Sequence, residues 1–108
     1  MEVKDLGKTS TGMQPNMEAL LCYVFGFITG LIFYLIEKEN KFVRFHAMQS
    51  IVVFAGLFVI GFIIMFIPLI NLIFWAVELV IWIVLMVKAY QGEKFKFPIA
   101  GDIAEKNS

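Results

Sequence analysis

The sequence predicts an all-α membrane protein, a bundle of three transmembrane helices with an interfacial basic-aromatic loop and C-terminal tail. Apolar residues make up 60% of the chain and are gathered into blocks, without the periodicity of a soluble core. Residues 19 to 36 carry no charge, and residues 47 to 87 carry a single ionisable group, Glu78. A helix needs about 20 residues to cross roughly 30 Å of hydrocarbon, so the first block supplies one span. The second, about 60 Å long as one straight helix, must cross twice.

Residues 1–17, which include Gly7, Thr9, Ser10, Thr11, Gly12 and Pro15, read as a flexible tail. The first helix is expected near residues 18–37. A cleaved signal peptide fits poorly there, because a mixed segment precedes the block and EKEN follows it with no small-residue cleavage pattern. The second helix is expected near 43–67. Pro68, which lacks an amide donor and disfavours helix in the residue before it, marks the fold-back, with Asn71 suited to the turn or cap. The third helix is expected near 70–91, with Gly92 beyond its end, and residues 92–108 form a cytoplasmic interfacial tail whose IAEKNS end reads as flexible.

Three spans put the N-terminus and the Pro68 turn on one side with Lys4 and Lys8. Lys38, Lys41, Arg44, Lys88, Lys94, Lys96 and Lys106 lie on the other. The positive-inside rule then makes the latter side cytoplasmic, in the cell membrane, with the N-terminus outside. At that interface Lys41 and Arg44 are expected to snorkel, and Phe42 and Phe45 to sit in the aromatic belt. Lys88, Lys94, Phe95, Lys96 and Phe97 repeat the pattern in the tail. Such strips anchor topology, or they dock anionic lipid.

Snorkelling leaves His46, Gln49 and Ser50 unexplained. They stand at i, i+3 and i+4 and so enter the bilayer on one face, where lipid offers no hydrogen bond. With Arg44 they are expected to form a polar node tying the second helix to the first or third. On the third span Asn71, Trp75, Glu78, Trp82, Leu85 and Ala89 form one stripe, and on the first Tyr23, Phe27, Gly30, Tyr34 and Glu37 form another. The stripes are expected to face each other, with Gly30 and Gly56 or Gly61 permitting close approach. Glu78, at mid-span with no basic residue at its depth, is expected to be neutral and to donate to Thr29 or a backbone carbonyl.

The run KENKFVRFHAMQSIVVF, with an apolar helix ahead of it, two tight helices behind it and a closing GEKFKFP, resembles the Tic-twenty-like family. That family comprises small, mostly prokaryotic multi-pass membrane proteins, distantly similar to a component of the chloroplast inner-envelope import machinery. The resemblance covers roughly residues 17 to 100, and Arg44, His46 and Gln49 stand at its characteristic positions. It implies a fold and a signature at the cytoplasmic end of the second helix, and no defined reaction. The chloroplast relatives have four spans where this chain shows three.

No nucleophile with its base, phosphate-cradling loop or paired carboxylates can be assembled, so no catalytic residue and no cofactor is expected. Cys22 and His46 are each alone of their kind, and no metal site is expected. The leading expectation is a non-catalytic bundle in the lipid bilayer that forms homo-oligomers or joins another membrane protein as a subunit of a transport or translocation complex, with no nucleic-acid partner. The alternatives are a small proton- or ion-coupled transporter or channel using Glu78, and an adaptor that binds anionic lipid.

Overall fold

The computed structural model describes residues 9–108, which fold into five helices. These are α1 (Pro15–Val24), α2 (Phe27–Ile36), α3 (Lys41–Ile64), α4 (Pro68–Tyr90) and α5 (Ala100–Lys106). Among the described residues only α3 and α4, with 24 and 23 residues, are long and apolar enough to cross a membrane. At 1.5 Å per residue they reach about 35 Å. Local sequence sets their ends. The Asn40 side chain accepts from Val43 N at 3.0 Å and caps α3. Pro68 occupies the first turn of α4, where its missing N–H costs nothing.

The expected single span over 18–37 is replaced by a helical hairpin. The chain breaks at Phe25–Gly26, where Gly26 adopts φ 62° and ψ −139°, a conformation that costs any L side chain backbone strain. The turn is closed by Thr29, whose hydroxyl donates to Cys22 O and accepts from Phe25 N, each at 3.2 Å. With ten residues each, α1 and α2 are about 15 Å long, half the thickness of a bilayer core, too short for either to span one.

Contacts fix the direction of each helix. Asn16 near the start of α1 donates to Tyr90 O at the end of α4, and Tyr23 O accepts from Trp82 at 2.6 Å, so α1 runs antiparallel to α4. Glu37, after α2, meets Ser10. The segment before α1, the linker from α2 to α3, and the residues after α4 therefore share one end of the bundle, here called the linker end; the Met65–Ile67 turn makes the other, the Pro68 end. The opposite-side placement expected for the two ends of the chain does not hold, because the hairpin adds no crossing. Lys4 and Lys8 lie outside the described residues.

Two further expectations change. Residues 9–14 are tied down by Ser10 and Thr11, and the end of the chain forms α5. The glycines divide their work. A Cβ on Gly30 would lie 2.9 Å from Ala47 O, so the closest helix approach is between α2 and α3, whereas Gly56 faces open space and Gly61 abuts Phe74 of α4. The first stripe is split by the break: Tyr23 faces α3 and α4, while Gly30 and Tyr34 face α3.

Candidate functional site

Two polar sites stand out, one at each level of the bundle. Near the linker end, His46, Gln49 and Ser50 on consecutive turns of α3 are fully buried. His46 Nε2 donates to Glu93 O at 2.9 Å, which leaves Nδ1 as the acceptor from the Tyr23 hydroxyl at 2.7 Å. That hydroxyl also accepts from Gln49 Nε2 at 3.0 Å. The Gln49 amide reads the chain after α4 as a strand would, donating to Phe95 O and accepting from Phe97 N, both at 2.9 Å. Ser50 lies 2.7 Å from Cys22 O and 2.9 Å from Gly26 O, the carbonyls freed where α1 ends. Arg44 satisfies the end of α2, its Nη1 donating to Tyr34 O and Glu37 O at 2.9 Å while its guanidinium stacks 4.1 Å above the Tyr34 ring.

The predicted node residues thus share α3, but they bind the α1–α2 hairpin and the chain after α4 in place of a neighbouring full-length span. The groups that accept from these four side chains are, except for the Tyr23 hydroxyl, backbone carbonyls at a helix end or loop. The node fastens irregular backbone where lipid could not solvate it. Both ring nitrogens of His46 are engaged in the node.

A carboxyl pair closes the neck of the hairpin. Glu37 accepts from Ser10 N at 2.8 Å and from Glu39 N and Asn40 N at 3.1 Å. Glu18, fully buried, accepts from Thr11 Oγ1 at 2.8 Å, while its Oε2 receives no hydrogen bond among the described residues. Burial, with the Glu37 carboxylate beside it, pushes Glu18 up to about 7. Burial alone would also raise Glu37, but hydrogen bonds from Glu18, Ser10 and Asn40 outweigh it and hold the group at about 2. One proton shared by two carboxyls locks the residues before α1 onto the α2–α3 linker. The sequence reading missed this pair and Tyr23's role in the node. The available signal was position: Glu18 and Glu37 bracket the uncharged block, with Gly26 between them.

The expected interfacial strips are only partly free. Lys41 and Lys94 are exposed and Phe42 is half-buried, but Phe45 is fully buried, edge-on to His46 and 4.9 Å beneath the Lys94 ammonium, so it is no belt residue. Lys88 pairs with Glu93 at 3.0 Å, and Lys96 pairs with Glu105 at 2.7 Å. Phe95 stays at the surface, while Phe97 packs against the core. Pairing of Lys88 and Lys96 removes two of the charges that an anionic-lipid adaptor would use.

The second site lies below the hairpin tip. Turning back at Gly26 leaves the Pro68-end half of α3 and α4 without a third helix, and two adjoining cavities of about 400 and 250 Å³ open there. Glu78 lines both, with Asn71, Trp75 and Phe58 around the larger and Trp82, Phe54 and Gly26 around the smaller. Thr29, expected as its partner, is occupied in the turn. Glu78 is half-buried and makes no hydrogen bond or ion pair among the described residues. Of the stripe Asn71–Trp75–Glu78–Trp82–Leu85–Ala89 only the linker-end part packs inward: Leu85 and Ala89 are buried and Trp82 binds Tyr23, whereas Asn71, Trp75 and Glu78 line the open cleft. Among the described residues no three of His, Cys, Asp and Glu gather as a metal site would require.

No solved structure matches the chain. Among curated proteins it is similar to a UPF0132 membrane protein of Methanocaldococcus jannaschii, 55% identical over 95% of this chain and 96% of the relative. A second from the same organism is 50% identical over 88% of this chain and 71% of that protein. A UPF0132 membrane protein of Archaeoglobus fulgidus is 46% identical over 87% and 95%. The family whose profile matches residues 12–104 is a different one from the Tic-twenty-like family expected from VRFHAMQS, and that resemblance gains no support. That match runs from the hairpin neck to α5 and takes in both polar sites, so the chain belongs to the magnetosome magnetite crystal formation protein family, among relatives named as membrane proteins.

Proposed function

We propose that this chain is a non-catalytic membrane subunit that assembles with copies of itself, or with another membrane protein, and contributes the Glu78 cleft as a solute-binding site in a transport assembly. The observation that carries this reading is the position of Glu78. A carboxyl at mid-helix, beside two cavities and without a partner, is costly in lipid by about 2.5 to 3.5 kcal/mol on insertion scales, and groups held at such a cost mark ion or substrate pathways. Assembly follows from size. Two spans and a half-depth hairpin enclose no conduit, and the cleft rim residues Phe58 and Trp75 are exposed to the side.

All seven basic residues within the described chain sit at the linker end, and none lies between Arg44 and Lys88, so this end faces the cytoplasm of a cell membrane. The family's description invokes magnetite crystal formation. A membrane assembly suits such a setting better than a mineral-binding acidic face would, because Glu18 and Glu37 hold each other and Glu93 and Glu105 are paired with lysines.

Reconstitution tests the reading. The particle in nanodiscs should have a protein mass of at least twice 12.3 kDa or include a copurified partner, and vesicles should show a proton or cation flux that Glu78→Gln removes. A monomeric particle without flux would overturn it.

A further inference from the structure

We propose that the Glu78 cleft binds a lipophilic organic cation, one positive charge wrapped in apolar substituents, entering sideways from the membrane. The proposal deepens the reading of Glu78 as a solute site and rests on it.

Charge is the first argument. Glu78 is the only charged residue lining either cavity, and no lysine or arginine stands between Arg44 and Lys88 to neutralise it. A ligand that pairs with the Glu78 carboxyl must therefore bring the positive charge itself.

The remaining walls decide which cation. A bare inorganic ion needs about six oxygen ligands, or a strongly held water shell. The cleft offers one carboxyl and, about two helical turns along α4, the Asn71 amide; the rest of its wall is aliphatic and aromatic. Phe58, Phe62, Phe74, Trp75 and Trp82 line the same two cavities as the carboxyl. Aromatic faces attract a cation most strongly when it is desolvated, and they bury the substituents of an organic one at the same time. Cavities of about 400 and 250 Å³ that share Glu78 and Trp75 are on the scale of small-molecule sites.

Access has the matching direction. Phe58 and Trp75, at the rim, are 66% and 64% exposed, and they would face hydrocarbon. The hairpin closes the cleft toward the linker end, with Gly26 and Phe54 as its roof. A solute that already partitions into the bilayer can reach Glu78 without passing through the polar node.

The test uses the full chain in nanodiscs, titrated with tetraphenylphosphonium and, separately, with tetraphenylborate, an anion of nearly the same shape. Trp75 and Trp82 are the chain's two tryptophans and both line the smaller cavity, so intrinsic fluorescence reports occupancy directly. The expected result is saturable quenching by the phosphonium alone. Glu78→Gln should weaken that binding at least tenfold while leaving helicity and elution unchanged, and Glu78→Asp should restore part of it. Equal binding of the borate, or unchanged affinity in Glu78→Gln, would overturn the proposal and leave an apolar groove for lipid chains. Displacement of the phosphonium by millimolar sodium would also overturn it, by assigning the carboxyl to an inorganic ion. If phosphonium binding is absent but Glu78-dependent flux persists, the ligand class fails and the solute-site reading stands.

Discussion

In the half of the bundle that the hairpin reaches, Glu37, His46, Gln49 and Ser50 are fully buried and each is hydrogen-bonded. In the other half, no residue of α3 beyond Phe54 and none of α4 before Leu85 is buried, and the one ionisable group, Glu78, has no partner among the described residues. The less buried half is the more apolar one, since Lys41, Arg44, His46, Gln49 and Lys88 all lie in the linker-end half, so the hydrophobic effect does not explain the difference. Lipid solvates apolar side chains as well as protein does, and it gives helices no apolar reason to be covered. Polar atoms are what lipid cannot accommodate. The linker-end half packs because the breaks at Gly26 and Tyr90 expose backbone that must be bonded, and the Pro68-end half stays open because two regular helices satisfy themselves.

The largest effect that could break this comparison is topological. Cysteines introduced at Ser10 and Ser108 should both react with an impermeant reagent from one side, and one at Phe66 only from the other. Cys22 is fully buried and gives no background. Reaction of Ser10 and Ser108 from opposite sides would restore a third crossing and dismiss the hairpin.

Next comes the node. Gln49→Leu deprives Phe97 N of its acceptor and Phe95 O and the Tyr23 hydroxyl of their donor. Each buried group left unpaired costs about 1–3 kcal/mol, so thermal unfolding in detergent should show a large destabilisation. An unchanged midpoint would mean that water reaches the node. Gly26→Ala has room, since the nearest atom to the new Cβ is Phe54 Cβ at 3.7 Å, but φ 62° with ψ −139° makes it strained by about 1–3 kcal/mol. An alanine variant as stable as the parent would show that the turn is not held in that conformation.

The neck adds a pH dependence with two limbs. Glu18, raised from 4.5 to about 7, contributes stability that is complete below 4.5 and is lost as pH rises through 7. Glu37, lowered to about 2, contributes stability that is complete above 4.5 and is lost as pH falls through 2. The lock is therefore tightest near pH 4.5. Amide exchange at Ser10, whose N–H binds Glu37, should accelerate beyond its intrinsic pH dependence between pH 5 and 8. Glu18→Gln donates a hydrogen bond at every pH and should abolish that excess; a wild-type profile in the variant would remove Glu18 from the lock.

Much of this was legible from the chain. Pro68 and the uncharged blocks placed α3 and α4 within a few residues, and the i, i+3, i+4 spacing put His46, Gln49 and Ser50 on one face. The break at Gly26 was not, because glycine is common in unbroken membrane helices and hydropathy is continuous from residue 19 to 36. What requires a glycine there is a backbone angle, which composition does not reveal. The partners of the node were hidden for a related reason: Glu93 O, Phe95 O and Phe97 N are backbone atoms, and any residue type could supply them. With seven residues, α5 is too short for its periodicity to register.

The smallest expected effect sharpens the comparison most. Glu78→Gln keeps the side chain's shape and hydrogen-bonding capacity, and no described residue bonds to the group it replaces. Stability should change by no more than about 0.5 kcal/mol, the range of substitutions that touch no packed or bonded feature. The polar-to-apolar change at Gln49 should destabilise the fold severely, and this polar change, at a more central depth, should hardly register. Chemical unfolding of both variants in the same detergent decides it. If Glu78→Gln proves as damaging as Gln49→Leu, then Glu78 is glue, held by another copy or by water, and the open half is closed in the assembled protein. A neutral outcome leaves the carboxyl free for a ligand, because a group that contributes nothing to the fold can be reserved for what binds it.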